Sequence, residues 1–370
     1  MTNNMTGLYV HVPFCAKKCS YCDFVSFGGR QDSLPSYLCA LKNEARQYAG
    51  QKIDTVYFGG GTPSVLSSEQ AADLIEFLKG SFNIVNNAEI TFECNPASVT
   101  KEKLQTLKKL GVNRISIGAQ SLSDSVLDSL GRAHTLTQFE QAVELTRETG
   151  IENFNFDLIF ALPSQTLSLW QQTVNKAIKY APNHISCYSL TLSENTPMGK
   201  LAQAGKLDIP SEEEERQMYH YLIKTLEQEG IKQYEVSNFA RQGSECIHNI
   251  NYWQCGEYIG LGCAAHSYFK GARWHNTEDL DKYILLQDIV CEREELSQYD
   301  KKLERIMLGF RMNDGIDVKR YNVDFESDFF SEYTLAIDKC KDFLIIKKDK
   351  LALNKKGFDI LDTITLEFIK

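Results

Sequence analysis

The first half of the chain alternates short β-branched segments with amphipathic helical segments, and this alternation limits the possible folds more than any other sequence feature. Strands are predicted at 7–12, 53–58, 88–94, 114–118, 152–160 and 184–190, and helices at 34–49, from about 67, and at 101–110, 135–149 and 168–180. Strands joined by helices of this length form parallel βαβ units. Six such units fit a doubly wound sheet or an incomplete β/α barrel, and periodicity does not separate the two.

The alternation ends near residue 190. The stretch 194–210, which contains two prolines and two glycines, is predicted to be a loop, and a charged helix begins at Ser211. The glutamates at 212–215 are expected to face solvent in its first turn, where the helix macrodipole favours acidic residues; an acidic partner site is the alternative. We predict two domains, 1–230 and 231–370. The second is α+β and contains a helical module at about 300–370 with a β-hairpin at 343–353.

Composition excludes several classes of protein. The chain has 40 Lys and Arg residues against 49 Asp and Glu residues, a net charge of −9, which argues against nonspecific binding to nucleic acid or to an anionic membrane. No apolar run approaches the ~18 residues of a membrane-spanning helix, and the start of the sequence lacks the features of a signal peptide. The cysteines number eleven, so they cannot all pair within the chain. A cytoplasmic protein with reduced thiols is expected.

Three cysteines, Cys15, Cys19 and Cys22, lie in one loop directly after the first predicted strand. The C-x3-C-x2-C spacing lets this loop place three thiolates around one metal centre. A structural zinc ion needs a fourth ligand, and the nearby candidate, His11, would lie on the strand. Three thiolates without a fourth protein ligand suit a 4Fe–4S cluster with one open iron. The spacing resembles the hallmark of the radical S-adenosylmethionine (SAM) superfamily, which implies that SAM chelates the open iron.

Further motifs follow the next strands, at the carboxyl ends where parallel barrels place their chemistry. The run GGGTP at 59–63 follows the second strand, and its glycines let backbone approach a ligand closely. Glu93 ends the third strand and Gln120 the fourth. Arg132 lies in the loop beyond, and Asp157 lies on the fifth strand. Within the resemblance, Glu93 is suited to accept hydrogen bonds from ribose hydroxyls and Arg132 to pair with the SAM carboxylate.

Together the motifs resemble the coproporphyrinogen dehydrogenase (HemN) group over essentially the whole chain. The resemblance rests on LYVHVPFC with its two following cysteines, GGGTP, E-x-NP, G-x-Q and NFDLI-x-x-LP. It implies an incomplete parallel (β/α)6 radical SAM barrel with a smaller α+β C-terminal domain. It also implies that Cys15, Cys19 and Cys22 hold the cluster. The SAM site implied in the same way comprises Tyr9, Tyr21, Gly60, Gly61, Thr62, Glu93, Gln120, Arg132 and Asp157.

Two departures separate the chain from the dehydrogenases. Those enzymes have a further cysteine two residues after the third, where this chain has Phe24. They also carry an N-terminal arm that helps enclose the porphyrinogen, whereas only a short segment precedes the first strand here. In both respects the chain resembles the paralogous HemW family, whose members bind heme and are regarded as heme chaperones.

A second motif agrees with that family. The run HNINYW at 248–253 matches its HNxxYW motif, and GLGCAAHS follows at 260–267. An imidazole can ligate heme iron, and aromatic rings can stack on the macrocycle. The resemblance therefore implies that His248 contacts heme, although the same residues could form a hydrogen-bonded corner of the core. Weaker candidates for contact with heme are His266, Cys263, Cys246 and Cys255.

The sequence thus predicts a HemW-type heme chaperone that binds heme, holds a SAM-ligated 4Fe–4S cluster and passes heme to an acceptor protein, such as a membrane hemoprotein. In this interpretation the cluster and SAM serve structure, redox sensing or dimerisation. No catalytic residue is assigned, and a homodimer is allowed. Two alternatives stay open: an oxygen-independent coproporphyrinogen III dehydrogenase, and a radical enzyme that acts on another substrate.

Overall fold

Six parallel strands lie side by side in chain order at the centre of the computed structural model, which describes residues 5–369. The order is β1 (Thr6–Val12), β4 (Lys52–Gly60), β5 (Asn83–Cys94), β6 (Arg114–Gln120), β7 (Asn153–Phe160) and β8 (His184–Ser189), and every neighbouring pair in this series is parallel. A doubly wound sheet would reverse its strand order at a switch point. The unreversed order confirms the second of the two predicted arrangements, an incomplete parallel (β/α)6 barrel.

Two short strands, β2 (Phe14–Cys15) and β3 (Phe27–Gly28), lie between β1 and β4 in the chain and pair with each other. The helices of the first half are α1 (Leu34–Ala45), α2 (Ser68–Ser81), α3 (Lys101–Lys109), α4 (Asp124–Ser129), α5 (Leu136–Glu148), α6 (Leu167–Lys179), α7 (Pro197–Gln203) and α8 (Glu212–Gln228).

Polar caps set where several helices begin. Ser67 accepts a hydrogen bond from the Gln70 amide while the Gln70 side chain accepts one from the Ser67 amide, and Ser211 and Glu214 form the same capping box. Residues 212–214 are exposed in the first turn of α8, as predicted. The predicted loop at 194–210 is wrong in part, because α7 lies within it. This helix is only seven residues long and contains Gly199, too short for apolar periodicity to reveal.

The second half extends the sheet at both of its edges. On one side β10 (Asn238–Ala240) pairs antiparallel with β8, and β9 (Lys232–Gln233) pairs antiparallel with β10. On the other side β11 (Glu257–Leu261) pairs parallel with β1 and leads into the antiparallel strands β12 (His266–Phe269), β13 (Ala272–Asn276) and β14 (Val290–Glu295). The predicted boundary at 230/231 therefore does not separate two sheets. The same part of the chain contains the helices α9 (Ile247–Trp253) and α10 (Leu280–Ile284).

The remaining residues form a helical module with a core of its own, built around Phe310, Tyr321, Phe329 and Phe368. It contains α11 (Gln298–Gly309), β15 (Ile316–Asp317), α12 (Val318–Phe325), α13 (Phe329–Glu332), α14 (Thr334–Cys340), β16 (Leu344–Lys347), β17 (Lys350–Leu353), α15 (Lys355–Phe358) and α16 (Leu361–Phe368). The antiparallel pair β16–β17 is the predicted hairpin. In the described part of the chain, no helix combines the length and the apolar character needed to cross a membrane.

A buried carboxylate ties the second half of the sheet to the first helix. Glu44 on α1 accepts hydrogen bonds from the Tyr283 hydroxyl at 2.5 Å, the Asn276 amide at 2.6 Å and the Gly262 backbone N–H at 2.9 Å. Burial raises the pKa of Glu44 from 4.5 to about 7. The turn between β11 and β12 is thereby held beside the barrel.

Replacing Glu44 with alanine should lower the free energy of unfolding by about 2–4 kcal/mol, because three buried donors lose their acceptor. The raised pKa means that the folded state keeps a proton that the unfolded state releases between about pH 4.5 and pH 7. Wild-type stability from this group therefore falls as pH rises through that window. Urea unfolding should show the gap between wild type and Glu44→Ala narrowing from pH 5 to pH 8. Glu76→Ala, an exposed helical glutamate, is the control, and a gap independent of pH would contradict the prediction.

Candidate functional site

A cavity of about 370 Å³ opens at the carboxyl ends of the parallel strands. Its volume is in the range of small-molecule sites. It brings together most of the residues predicted from the sequence: Cys15, Cys19, Cys22, Tyr21, Gly60, Gly61, Thr62, Glu93, Gln120, Arg132 and Asp157 all line it. Tyr9 and His248 do not.

The cysteine loop is anchored by main-chain hydrogen bonds. Cys15 is buried in β2, whereas Cys19 and Cys22 are half-buried in the loop that follows. The Ser20 amide donates to the Leu130 carbonyl at 3.1 Å, and the Phe27 amide donates to the Pro13 carbonyl at 2.6 Å. These bonds turn the loop back onto the barrel, so all three thiols face one cavity.

Two of the sulfur atoms accept hydrogen bonds from cavity residues. The Thr62 hydroxyl donates to Cys15 Sγ at 3.4 Å, and Arg132 Nη1 donates to Cys19 Sγ at 3.6 Å. Donors of this kind stabilise thiolates that ligate iron. Among residues 5–369, no three His, Cys, Asp or Glu side chains converge as a single metal ion would require. All three thiols line one cavity, and three thiolates without a fourth protein ligand suit a 4Fe–4S cluster.

The glycine run at the end of β4 is required by the close approach of the cysteine segment. A Cβ atom on Gly61 would lie 2.8 Å from the Val12 carbonyl oxygen and 2.9 Å from the Phe14 amide, and Gly60 has a φ of 106°. Only glycine avoids these contacts and adopts this backbone conformation without strain. The run therefore places Thr62 beside Cys15.

Two carboxylates stand on neighbouring parts of the cavity wall. Glu93 accepts a hydrogen bond from the Tyr57 hydroxyl at 2.7 Å, and burial together with the nearby Asp157 raises the pKa of Glu93 to about 7. Asp157 is held by the Ser116 hydroxyl at 3.1 Å and by the Asn155 amide at 2.7 Å, and burial raises its pKa. Both groups are oriented acceptors for hydroxyl or amine donors of a ligand.

Arg132 is fixed by its contacts with β6 and with the cysteine loop. Its Nη2 donates to the Gly118 carbonyl at 2.7 Å, while the same guanidinium contacts Cys19. Gln120, at the end of β6, has a φ of 62° and follows a shift in the register between β6 and β7. Burial raises the pKa of Tyr21, which lies against Arg132. The wall thus offers a cation and an amide next to the thiols.

Tyr9 lies beneath the cavity. Its hydroxyl donates to His11 Nδ1 at 2.9 Å and its ring stacks on Tyr57, with centroids 6.2 Å apart. His11 Nε2 in turn donates to the Val25 carbonyl at 2.9 Å. Both nitrogens of His11 are engaged, so this side chain supports the cysteine loop and is not placed as a fourth metal ligand.

His248 is buried, with a side chain that belongs to the hydrogen-bonded core. Nδ1 pairs with the Thr55 hydroxyl at 2.8 Å and Nε2 with the Tyr252 hydroxyl at 2.8 Å. The ring stacks on Tyr57 at 5.2 Å, and burial lowers the pKa of His248 to about 3. Neither nitrogen is free for iron in this arrangement. The geometry therefore supports the alternative interpretation of the HNINYW run, a corner of the core.

Four further residues are the weaker candidates for contact with heme. Cys246 and Cys263 are buried, and their thiols donate to Glu89 and to the Thr277 carbonyl. Cys255 is half-buried, and His266 is exposed on β12. None of these four lines the cavity at the cysteine loop.

Among the residues of the cavity wall that sequence reasoning missed are Tyr57, Ser116 and Tyr188. Tyr57 and Ser116 hold the two carboxylates, and Tyr188 is 42% exposed at the end of β8. Side chains alternate between the two faces of a strand. Counting back in steps of two from Gly59 and Gly118 would have identified Tyr57 and Ser116.

The comparisons with known proteins agree with the motifs found in the sequence. A family model described as the Radical SAM superfamily matches residues 9–177. The chain is 32% identical over 373 residues to a protein of Lactococcus lactis subsp. lactis (strain IL1403) named "Heme chaperone HemW", covering 100% of this chain and 98% of that protein. It is 36% identical over 332 residues to a Bacillus subtilis (strain 168) protein of the same name, covering 86% of each. The solved structure of coproporphyrinogen III oxidase (HemN) from Escherichia coli, a radical SAM enzyme, shares the fold, with a TM-score of 0.86, 23% identity and coverage of 99% and 90%.

Substituting His248 tests its role in the core. His248→Ala should lower the free energy of unfolding by about 2–4 kcal/mol, because it leaves a cavity and two unpaired hydroxyls. Tyr252→Phe removes one of the two hydroxyls that pair with the His248 ring nitrogens, and it should lower the free energy of unfolding by about 1 kcal/mol. Urea unfolding followed by circular dichroism measures both. A His248→Ala variant as stable as wild type would show that the imidazole is not part of the packed core.

Proposed function

The chain belongs to the HemW family, within the HemN/HemW group of the radical SAM superfamily, and we propose that it is a heme chaperone. In this proposal it binds heme, carries a 4Fe–4S cluster with SAM, and transfers heme to an acceptor hemoprotein. The observation that carries the proposal is the similarity to proteins named heme chaperone HemW, which extends over the full chain in one case.

The cluster would be held by Cys15, Cys19 and Cys22. Three thiols facing one cavity support this assignment, as do the hydrogen bonds that Thr62 and Arg132 donate to two of the sulfurs. When bound, such a cluster supplies single electrons to SAM. The protein orients the sulfur ligands and shields them on the barrel side, because Cys15 is buried.

SAM would occupy the remainder of the cavity. Glu93 and Asp157, each held by hydroxyl or amide donors, are suited to accept hydrogen bonds from the ribose or the amino group. Arg132 is suited to pair with the carboxylate, and Gly60 and Gly61 let the main chain approach the ligand. Further contacts would come from Tyr21, Thr62 and Gln120. Tyr9 would act one layer below, by holding His11 beneath the cysteine loop.

A second candidate function is oxidative decarboxylation of coproporphyrinogen III, because the cavity brings together the three cysteines and most of the residues assigned to SAM. Phe24 argues against it. This side chain lines the cavity and is 66% exposed at the position where the dehydrogenases have a fourth cysteine. Phe24 carries no thiol, so the chain lacks this further cysteine of the dehydrogenases, and the chaperone is the preferred function.

The remaining parts of the proposal concern the location of the protein, its acceptor and its oligomeric state. A cytoplasmic location agrees with eleven free cysteines. The acceptor hemoprotein, in a membrane or outside one, and a homodimer stay predictions from the sequence.

Anaerobic reconstitution with iron and sulfide should give about four irons per chain, as a cluster held by three thiolates requires. Cys15→Ser, Cys19→Ser and Cys22→Ser should each lose most of this iron, measured by iron analysis and visible absorption. Cys39→Ser is the matched control, because Cys39 is exposed on α1 away from the loop. Zinc in place of iron in the wild type would contradict the cluster assignment, and so would full iron content in the three serine variants.

Two assays separate chaperone from dehydrogenase. Heme-loaded protein mixed with an apo-hemoprotein should pass its heme on, observed as a shift of the Soret band to that of the acceptor. Cluster-loaded protein incubated with coproporphyrinogen, SAM and a reductant should form no protoporphyrinogen by chromatography, with a coproporphyrinogen dehydrogenase as the positive control. Formation of protoporphyrinogen would reject the chaperone in favour of the enzyme.

A further inference from the structure

A second cavity, of about 650 Å³, lies between the barrel and the C-terminal module. We call it the α8 groove, because one wall is the exposed face of α8 and the other is formed by β16, β17 and α15. It is separate from the cavity at the cysteine loop, and the two share no lining residue.

The walls of the α8 groove include an apolar strip. Ile223 on α8 faces Ile345, Leu353 and Phe358 of the module, and the ring of Tyr219 adjoins them. Leu353 is buried, whereas Ile223, Ile345 and Phe358 are half-buried. Apolar walls on both sides of a cleft suit a flat apolar ligand that slides between them.

The groove contains one imidazole, that of His220. Its Nε2 donates to Asp359 Oδ1 at 2.8 Å, across the junction between α8 and the module. No hydrogen bond to Nδ1 is found within residues 5–369, and the side chain is 51% exposed. An imidazole oriented by a carboxylate through one nitrogen, with the other nitrogen free, is the usual arrangement of a histidine that ligates a metal. His248 lacks this property, since both of its nitrogens are engaged.

The rim of the groove is basic in a chain whose net charge is −9. Four lysines line it, against the two carboxylates of Glu227 and Asp359; the lysines are Lys224, Lys232, Lys355 and Lys356. All four are exposed, and the Lys355 ammonium lies 3.8 Å from Glu227 in a loose ion pair. The excess of positive charge suits a ligand with two carboxylates.

We propose that the α8 groove is the heme site of this chain. His220 ligates the iron, Asp359 is the positioning residue that orients its ring, the apolar strip contacts the macrocycle, and the lysines pair with the propionates. This inference rests on the proposed function, because only a heme carrier needs such a site. It places heme away from the cluster cavity and away from the HNINYW run.

The test is a titration of cluster-loaded, full-length protein with hemin, followed by difference absorption spectra. His220→Ala should weaken binding by at least about tenfold and remove the spectral signature of histidine ligation. Asp359→Asn should weaken binding by about tenfold while keeping that signature, because the ligand itself is unchanged. Lys355→Glu combined with Lys356→Glu should weaken binding more at low salt than at high salt. His266→Ala, an exposed histidine outside the groove, is the control and should bind as wild type does.

The outcomes distinguish failure of the proposed heme site from failure of the proposed chaperone function. Saturable wild-type binding that the groove variants weaken supports both. Saturable wild-type binding that is unchanged in His220→Ala and in the lysine double variant overturns the site and leaves the chaperone function standing. Loss of binding in His266→Ala alone would also overturn the site. Absence of saturable binding in the wild type overturns the proposed function itself. His220 and the lysines are exposed, so these variants are expected to fold, and circular dichroism checks this.

Discussion

The parallel pairing of the barrel strands in chain order is the constraint on which the candidate site depends. Each strand is held in register with the next, so that Glu93 lies opposite Ser116, and Ser116 opposite Asn155. Side chains that alternate along each strand then bring Glu93 on β5, Ser116 on β6 and Asp157 on β7 into one group. A slip of one residue in any pair would turn these groups towards the helices.

The same pairing explains the polar character of the barrel interior. Arg114 is fully buried on β6 and lowers the pKa values of Glu93 and Asp157, which burial raises. Below this level, Glu89 accepts hydrogen bonds from the Ile247 and His248 amides at 3.0 Å, at the N-terminus of α9. A carboxylate at a helix N-terminus is stabilising. The HNINYW run is therefore joined to the barrel through its backbone as well as through the His248 ring.

Sequence reasoning succeeded where a feature is local and failed where it depends on distant pairing. The six parallel strands and the cysteine loop follow from periodicity and spacing over short segments. The burial of His248 depends on Thr55 and Tyr57, almost two hundred positions earlier in the chain, and no local pattern reveals it. The α8 groove requires α8 to meet a hairpin and a helix of the module, so its residues are adjacent only after folding. Helix α7 was missed because seven residues carry too little periodicity.

The helix α8 connects the two cavities, which limits how independent they can be. Near its start, Glu215 accepts a hydrogen bond at 2.6 Å from Ser189, a residue that lines the cavity at the cysteine loop. One turn and a half further on, His220 faces the α8 groove. The helix is packed against α6, where the Trp170 indole donates to the Met218 carbonyl at 2.9 Å. A displacement of α8 would therefore pull on the end of β8, at the wall of the cavity at the cysteine loop.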